Sequence, residues 1–207
     1  MNGCQIRLAG TGGQGLGLAG RLLADALVAE GLHVAQAQTY EPTSRGGSSR
    51  SDLVVARGPV DYPLVTALDY FVLLDQGALE DSATLLQGDA LVLIDADRVP
   101  SPPDVGGALH ALHPTSAARA LGNPRVANVI ALGALVGLSG LCAFETLESV
   151  VATSTPAKFR DLNLAALREG RKLALQVGLA PDIRAAPMSG ALEPNGGLKP
   201  ALQLPPL

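Results

Sequence analysis

A glycine-rich loop near the amino terminus is the strongest sign of chemistry in the sequence. Gly10, Gly12 and Gly15 follow the spacing G-x-G-x-x-G between a predicted strand at 5–9 and an amphipathic helix. Glycine allows a tight turn there and leaves backbone amides open to phosphate oxygens, while the helix that follows directs its free N–H groups at an anion. A tight strand-to-helix turn without a ligand would use the same residues, so the loop alone leaves both interpretations open.

A second polar segment could bind the same kind of ligand. It begins Tyr-Glu-Pro at Tyr40 and continues through Arg45, Gly46 and Gly47. A guanidinium binds phosphate or carboxylate in a bidentate manner, and the glycines expose amides beside it. We expect this segment to follow the second strand, at 33–38, so that both glycine loops form one anion-binding rim. A solvated loop without a ligand is the alternative.

Two common nucleotide sites do not fit the sequence. A dinucleotide fold carries an acidic residue about 20 residues after the glycines, at the end of strand two. That strand ends Ala-Gln-Ala-Gln, and Glu41 lies beyond it before a proline. No Lys-Ser/Thr pair follows the glycines, which excludes a Walker P-loop. A stand-alone oxidoreductase that binds NAD(P) or flavin stays as the alternative function, with Arg45 on the 2′-phosphate of NADP.

Three further polar residues stand where a ligand could lie. Asp75 and Asp95 end two predicted buried strands, at the carboxyl edge where α/β sheets bind ligands. Strand-end aspartates also cap the next helix. Asn128 opens a predicted buried helix, either as a cap or as a ligand contact. The three histidines do not form a metal-binding set with carboxylates, and no nucleophile–base pair is readable.

The pattern of the whole chain predicts an α/β fold: a Rossmann-like, mostly parallel sheet with helices on both faces. Residues 1–178 form the domain. The six prolines of 179–207 indicate an extended tail, which we expect to pack on a partner subunit. The segment 39–51 is too polar to contribute to the core. Strands are expected at 5–9, 33–38, 53–56, 70–74, 90–94 and 109–112, and helices after the glycine loop and at 78–87, 128–139, 145–152 and 163–177.

Charge and composition limit the function further. The formal net charge is −4, which argues against a general nucleic-acid surface. Cys4 and Cys142 are expected to be buried thiols, and without a CxxC motif they cannot supply a zinc or iron–sulfur site. The uncharged run 126–144 is interpreted as a buried helix, not a membrane span. Without a signal peptide at the amino terminus, a cytoplasmic location is expected.

Together, the motifs suggest a family. Gly-Thr-Gly-Gly-Gln-Gly at 10–15, with Leu-Ala pairs at 18–19 and 23–24, precedes Thr-Tyr-Glu-Pro at 39–42 and Arg-Gly-Gly at 45–47. This order resembles the gamma subunit of the 2-oxoacid:acceptor (ferredoxin) oxidoreductases that act on pyruvate, 2-oxoglutarate, ketoisovalerate, indolepyruvate or phenylglyoxylate. The resemblance covers about residues 5–178. Its later landmarks are Asp-Tyr-Pro at 61–63, Asp69 and Asn128.

The resemblance implies a subunit that is inactive alone and holds no catalytic residue. The whole enzyme would decarboxylate a 2-oxo acid with thiamine diphosphate and Mg²⁺, and pass electrons through iron–sulfur clusters to ferredoxin or another acceptor. Alpha and beta thiamine-binding subunits and a ferredoxin-like subunit would hold these groups, and an acyl-CoA is the usual product. Three roles of the glycine loops stay open: they bind coenzyme A, they close the active site, or they only turn the chain. The residues expected at such a site are Gly10, Gly12, Gly13, Gln14, Gly15, Tyr40, Arg45, Gly46, Gly47 and Asn128.

Overall fold

The computed structural model describes residues 3–40 and 47–177, which form one six-stranded sheet with six α-helices. The predicted tail at 179–207 lies outside the described residues. Short 3₁₀ turns at Gln76–Ala78 and Pro124–Val126 precede two of the helices. The elements in chain order are β1 Cys4–Thr11, α1 Leu16–Ala29, β2 His33–Tyr40, β3 Ser48–Ala56, β4 Leu68–Leu73, α2 Glu80–Ala83, β5 Leu86–Asp95, β6 Leu109–Leu112, α3 Pro114–Ala120, α4 Ala127–Ser139, α5 Phe144–Ser154 and α6 Ala157–Gln176.

The strand order is β2-β3-β1-β4-β5-β6. The predicted mostly parallel sheet is confirmed, because only β3 runs against its neighbours. β1 and β2 run in the same direction, as a strand–helix–strand unit requires. However, they are not adjacent: the chain reverses after β2, and β3 inserts between them. One strand therefore separates β2 from β1.

The polar segment that was expected to stay out of the core begins β3 at Ser48 and contributes one buried residue, Ser51. The Ser51 side chain is fully buried and accepts a hydrogen bond from Gln36 Nε2 at 2.9 Å. A Cβ at Gly20 would collide with the Ser51 hydroxyl, so glycine lets α1 approach the sheet closely. Polar residues become core here because neighbouring strands satisfy their hydrogen bonds.

Apolar side chains cover both faces of the sheet. α1 and α3 to α6 pack on one face, while α2 and the Gln76–Ala78 turn lie on the other. α4 is buried on nearly all sides, as predicted, and ends at Gly140 with φ of 62°. It crosses α6 closely, since a Cβ at Gly133 or Gly170 would overlap a backbone carbonyl of the other helix. Among the described residues, no helix is both long and apolar enough to cross a membrane.

Two sequence expectations fail around the short helices. A helix was predicted over 78–87 and capped by Gly88, but α2 spans four residues and Gly88 lies inside β5. Leu86 pairs with Leu68 of β4, and after a shift in register the pairing resumes at Leu91 with Tyr70. Helix α3 was not predicted, because seven residues are too few to show helical periodicity. The other strands and helices are confirmed to within a few residues at most ends.

Both cysteines are buried free thiols, as expected. Burial raises the pKa of the Cys4 thiol to about 12. Burial likewise raises the pKa of Cys142 to about 12. Neither side chain is therefore a thiolate at neutral pH, which is the form that binds metals.

A buried ion pair joins β1 to β3. Arg7 Nε and Nη2 donate to the two carboxylate oxygens of Asp52 at 2.7 and 2.8 Å. Arg7 Nη1 donates to the Asp81 carbonyl and to Ser82 Oγ in α2. The pair lies under α2 with side chains only 3% and 7% exposed. One guanidinium thus fixes two strands and the helix above them.

Replacing Asp52 should destabilise the fold strongly. We expect Asp52→Asn to lower the free energy of unfolding by about 3–5 kcal/mol, because it leaves the Arg7 charge buried without its partner. Urea unfolding of the full chain measures this. The control is Asp25→Asn, which removes the exposed pair with Arg21 at 3.7 Å and should cost under about 1 kcal/mol. Equal effects of the two variants would contradict a structural role for the buried pair.

Candidate functional site: a crevice between β1 and β4

The connections that follow β1 and β4 lie on opposite faces of the sheet. α1 leads from β1 to β2 on one side of the sheet, while α2 leads from β4 to β5 on the other. Because β1 and β4 are parallel neighbours, a crevice opens where their carboxyl ends meet. A cavity of about 310 Å³ occupies this place. It is lined by Thr11, Gly12, Gly13, Gln14, Leu74, Arg98, Thr115, Arg119, Pro124, Arg125, Ala127 and Asn128.

Gln14 ties the two strand ends together. Its Oε1 accepts the Thr11 N–H at 2.7 Å, and its Nε2 donates to the Leu74 carbonyl at 3.0 Å. A Cβ at Gly10 would overlap Gln14 Oε1, which explains glycine at this position. Gln14 was predicted as a ligand-binding residue, and the structure shows its amide engaged with backbone on both sides.

The two glycine segments lie together, as the sequence suggested. The Gly12 N–H donates to the Gly47 carbonyl at 3.0 Å. The contact arises because β3 pairs with β1 up to Thr11 and Ser48, not because strands one and two are neighbours. The Gly12 amide is thereby used within the protein, whereas Gly13 forms no backbone hydrogen bond with another described residue.

Part of the predicted rim lies beyond the described part of the chain. Arg45 and Gly46 lie outside the described residues, as does Glu41. Tyr40 is the last residue of β2, and only its backbone is described. Their expected role in the site stays a prediction.

Asn128 fastens α4 to the start of α1. Its Nδ2 donates to the Gly15 carbonyl at 2.9 Å. The Gly15 backbone is left-handed, with φ of 72°, and a Cβ there would lie 2.6 Å from Asn128 Nδ2. The Asn128 side chain also accepts the Val129 N–H. The predicted cap role is wrong, because α4 begins one residue earlier, at Ala127, and has no side-chain cap. Asn128 instead bridges the two helices, and its contact with a ligand stays a prediction.

Three arginines give the crevice a positive charge, and sequence reasoning missed all of them as site residues. Arg98 is paired with Asp75: the Nε of Arg98 donates to Oδ2 of Asp75 at 3.0 Å. Asp75 also accepts the Gly77 N–H, so this strand-end aspartate does cap the following turn. Arg119 and Arg125 are exposed and form no ion pair with another described residue. Since none of the described lining residues is acidic, the crevice suits an anion.

Two aspartates hold α3, and with it Arg119, beside the crevice. Thr115 Oγ1 donates to the buried Asp95, whose pKa is raised by burial against the opposing effect of its hydrogen bonds. Asp97 accepts the Ser116 N–H at 2.8 Å. Burial would raise the pKa of Asp97, but the hydrogen bonds from Ser116 and His113 outweigh it and lower the value. Anchored at its first turn, α3 presents Arg119 at its carboxyl end.

The histidines belong to no metal-binding cluster of described side chains. His110 is buried in β6, and burial lowers the pKa of its imidazole. His113 precedes α3 and pairs with Asp97 at 2.8 Å. Over the described ranges 3–40 and 47–177, the His, Cys, Asp and Glu side chains form no group of three that could hold a metal ion.

Comparison with known proteins identifies the family. Residues 5–173 match the pyruvate ferredoxin/flavodoxin oxidoreductase (POR) family. The chain therefore belongs to this family.

The similar proteins define its place within the family. The 2-oxoglutarate synthase subunit KorC of Methanocaldococcus jannaschii is 33% identical over 177 residues, covering 84% of this chain and 95% of KorC. KorC of Archaeoglobus fulgidus is 38% identical over 136 residues, covering 66% of this chain and 71% of KorC. A ketoisovalerate oxidoreductase subunit, VorA, and a pyruvate synthase subunit, PorC, both of Methanothermobacter thermautotrophicus, also match.

Solved structures of the same family have the same fold as this chain. The gamma subunit of a keto/oxoacid ferredoxin oxidoreductase from Geobacter sulfurreducens superposes with a TM-score of 0.77 at 35% identity, over 85% of this chain and 98% of that one. The fold is also shared with 2-oxoglutarate:ferredoxin oxidoreductase from Magnetococcus marinus, described with 2-oxoglutarate, coenzyme A and succinyl-CoA bound. That match has a TM-score of 0.77 at 23% identity, over 90% of this chain and 33% of that chain. The protein is a gamma subunit of the 2-oxoacid:ferredoxin oxidoreductase type, and the comparisons do not support a stand-alone dinucleotide enzyme.

The Asn128 bridge can be tested by an isosteric change. Asn128→Asp should lower the free energy of unfolding by about 1–3 kcal/mol at neutral pH, because a carboxylate cannot donate to the Gly15 carbonyl. Urea unfolding of the full chain measures this. Asn123→Asp is the matched control, since Asn123 only accepts the Arg125 N–H and aspartate accepts equally well. Unchanged stability in Asn128→Asp would show that the bridge contributes nothing.

Proposed function

We propose that this gamma subunit binds the phosphates of coenzyme A for its complex, in the crevice between β1 and β4. The observation that carries the proposal is the pair of guanidiniums, Arg119 and Arg125, in a crevice without a described acidic residue. The 3′-phosphate and the diphosphate of coenzyme A offer several anionic oxygens, which arginine binds in a bidentate manner.

The glycine loop supports the same ligand. Gly13 lies in the crevice wall with an amide that no described backbone carbonyl accepts. The crevice also adjoins the beginning of α1, where the first helical N–H groups favour negative charge. Arg45 and Gly46 are proposed to extend this rim, as the sequence motif suggests. The cavity of about 310 Å³ is large enough for part of a cofactor and leaves the remainder to other surfaces.

The chemistry of bond cleavage and electron transfer is assigned to other chains. We propose that alpha and beta thiamine-binding subunits hold thiamine diphosphate and Mg²⁺, and that a ferredoxin-like subunit holds iron–sulfur clusters. The described part of this chain is consistent with that division, because burial keeps its two thiols protonated and its described His, Cys, Asp and Glu side chains form no group of three that could hold a metal ion. Free thiols also suit a cytoplasmic complex.

Removing the two unpaired arginines should weaken coenzyme A binding selectively. In the assembled complex, Arg119→Gln/Arg125→Gln should raise the KM for coenzyme A at least about tenfold, because each lost charge-assisted hydrogen bond costs roughly 1.5–3 kcal/mol. The kcat at saturating coenzyme A and the KM for the 2-oxo acid should change little. Steady-state kinetics of the complex measures both.

The control is Arg21→Gln, which removes one exposed arginine of α1 that does not line the crevice. It should leave the KM for coenzyme A unchanged. An unchanged KM in the crevice double variant would rule out this site for the phosphates. A fall in kcat alone would instead assign the crevice to closure of the active site.

A further inference from the structure

The two edges of the sheet differ in length and in protection. Within residues 3–40 and 47–177, β6 forms one edge with four residues, whereas β2 forms the other with eight. The sequence of β2, His-Val-Ala-Gln-Ala-Gln-Thr-Tyr, contains no proline and no Asp, Glu, Lys or Arg, and its register with β3 has no bulge. Natural edge strands normally carry such features, because an open edge pairs with other strands. β2 is therefore an unprotected edge of the described sheet.

The hydrogen bonds of β1 show which backbone groups of β2 face outward. In β1, Ala9 belongs to the α2 face of the sheet, and its carbonyl accepts the N–H of Leu74, which follows β4. The N–H and C=O of one strand residue point to the same side of the strand, and this side alternates together with the side chain. Residues of β1 on the α1 face, such as Leu8, therefore direct these groups toward β3.

The same rule applies to β2, which runs parallel to β1 in the same sheet. Val34 packs with the core on the α1 face, and a Cβ at Gly17 or Gly20 of α1 would collide with the side chains of Gln38 or Gln36. These three residues of β2 thus lie on the α1 face. Their N–H and C=O groups point away from β3, beyond the edge of the sheet.

A second copy of β2 fits this edge. Two identical strands without charged side chains meet without repulsion between like charges. Antiparallel pairing about Gln36 places Val34 of each copy opposite Gln38 of the other, so that all three outward residues exchange hydrogen bonds. The segment 179–207 fits less well, because six prolines interrupt it and proline has no N–H for a ladder.

We propose that β2 pairs with β2 of a second copy of this chain, which joins two sheets into one across a twofold axis at Gln36. The axis is perpendicular to the sheet, so α1 of each copy lies on the same face of the joined sheet. Twofold pairs of this kind are the commonest homo-oligomers. Since β3 separates β2 from β1, the contact leaves the crevice between β1 and β4 open. The inference therefore goes beyond the proposed function and does not depend on coenzyme A.

The mass of the full-length chain in solution tests the pairing. Sedimentation equilibrium should give twice the 21.0 kDa of one chain. Gln38→Pro should raise the dissociation constant of the dimer at least about tenfold, because each copy loses an outward N–H while the bonds between β2 and β3 remain. Gln38→Ala is the matched control: it removes the same side chain but keeps the N–H, and it should leave the dissociation constant nearly unchanged.

Hydrogen exchange of the unchanged chain tests the edge without a variant. At the high protein concentration used for NMR, the amides of Val34, Gln36 and Gln38 should exchange slowly, and dilution should make them exchange faster. The amides of Ala35 and Ala37 point to β3 and should exchange slowly at both concentrations.

The outcomes identify what covers the edge. A chain that stays monomeric at the NMR concentration would overturn the proposal. A dimer in which the amides of Val34, Gln36 and Gln38 exchange fast would overturn it too, since the contact would then lie elsewhere. If these amides are protected only in the assembled complex, a strand of another subunit covers the edge and the second copy is excluded. Equal dissociation constants for the two Gln38 variants would also contradict it, and if Gln38→Pro fails to fold, the exchange measurement decides alone.

Discussion

The structure depends on the divergence of the chain after β1 and β4. These parallel neighbours send their connections to opposite faces of the sheet, and backbone cannot fill the space between the connections. Gln14 holds this space at fixed width by bonding to both strand ends, and Gly10 leaves room for its amide. The crevice is thus a consequence of topology that one side chain stabilises.

The reversal of the chain into β3 places a polar strand beside the glycine loop. β3 occupies the position beside β1 that a simple strand–helix–strand unit would give to β2, and it brings Ser48 and Arg50 to the edge of the glycine loop. The Arg7–Asp52 pair secures this insertion from beneath α2. Asp52 accepts from Arg7 through both carboxylate oxygens, whereas the buried Nε of Arg50 has no hydrogen-bond partner among the described residues.

Local patterns in the sequence predicted the features that depend on residues close together in the chain. The apolar strands, the glycine turn and the buried helix ending at Gly140 followed from composition and spacing, and motif order indicated the family. The insertion of β3 did not, because pairing between Arg7 and Asp52, 45 residues apart, makes a polar segment a core strand. Arg119 and Arg125 were also missed, since single arginines on a short helix and turn form no motif. Only the folded chain brings them to the glycine loop.

The most direct test of this account is a structure of the assembled complex with coenzyme A bound. The account predicts phosphate oxygens within about 3 Å of the guanidinium nitrogens of Arg119 or Arg125, in the crevice between β1 and β4. Coenzyme A phosphates held by another subunit, with this crevice free of the cofactor, would contradict it.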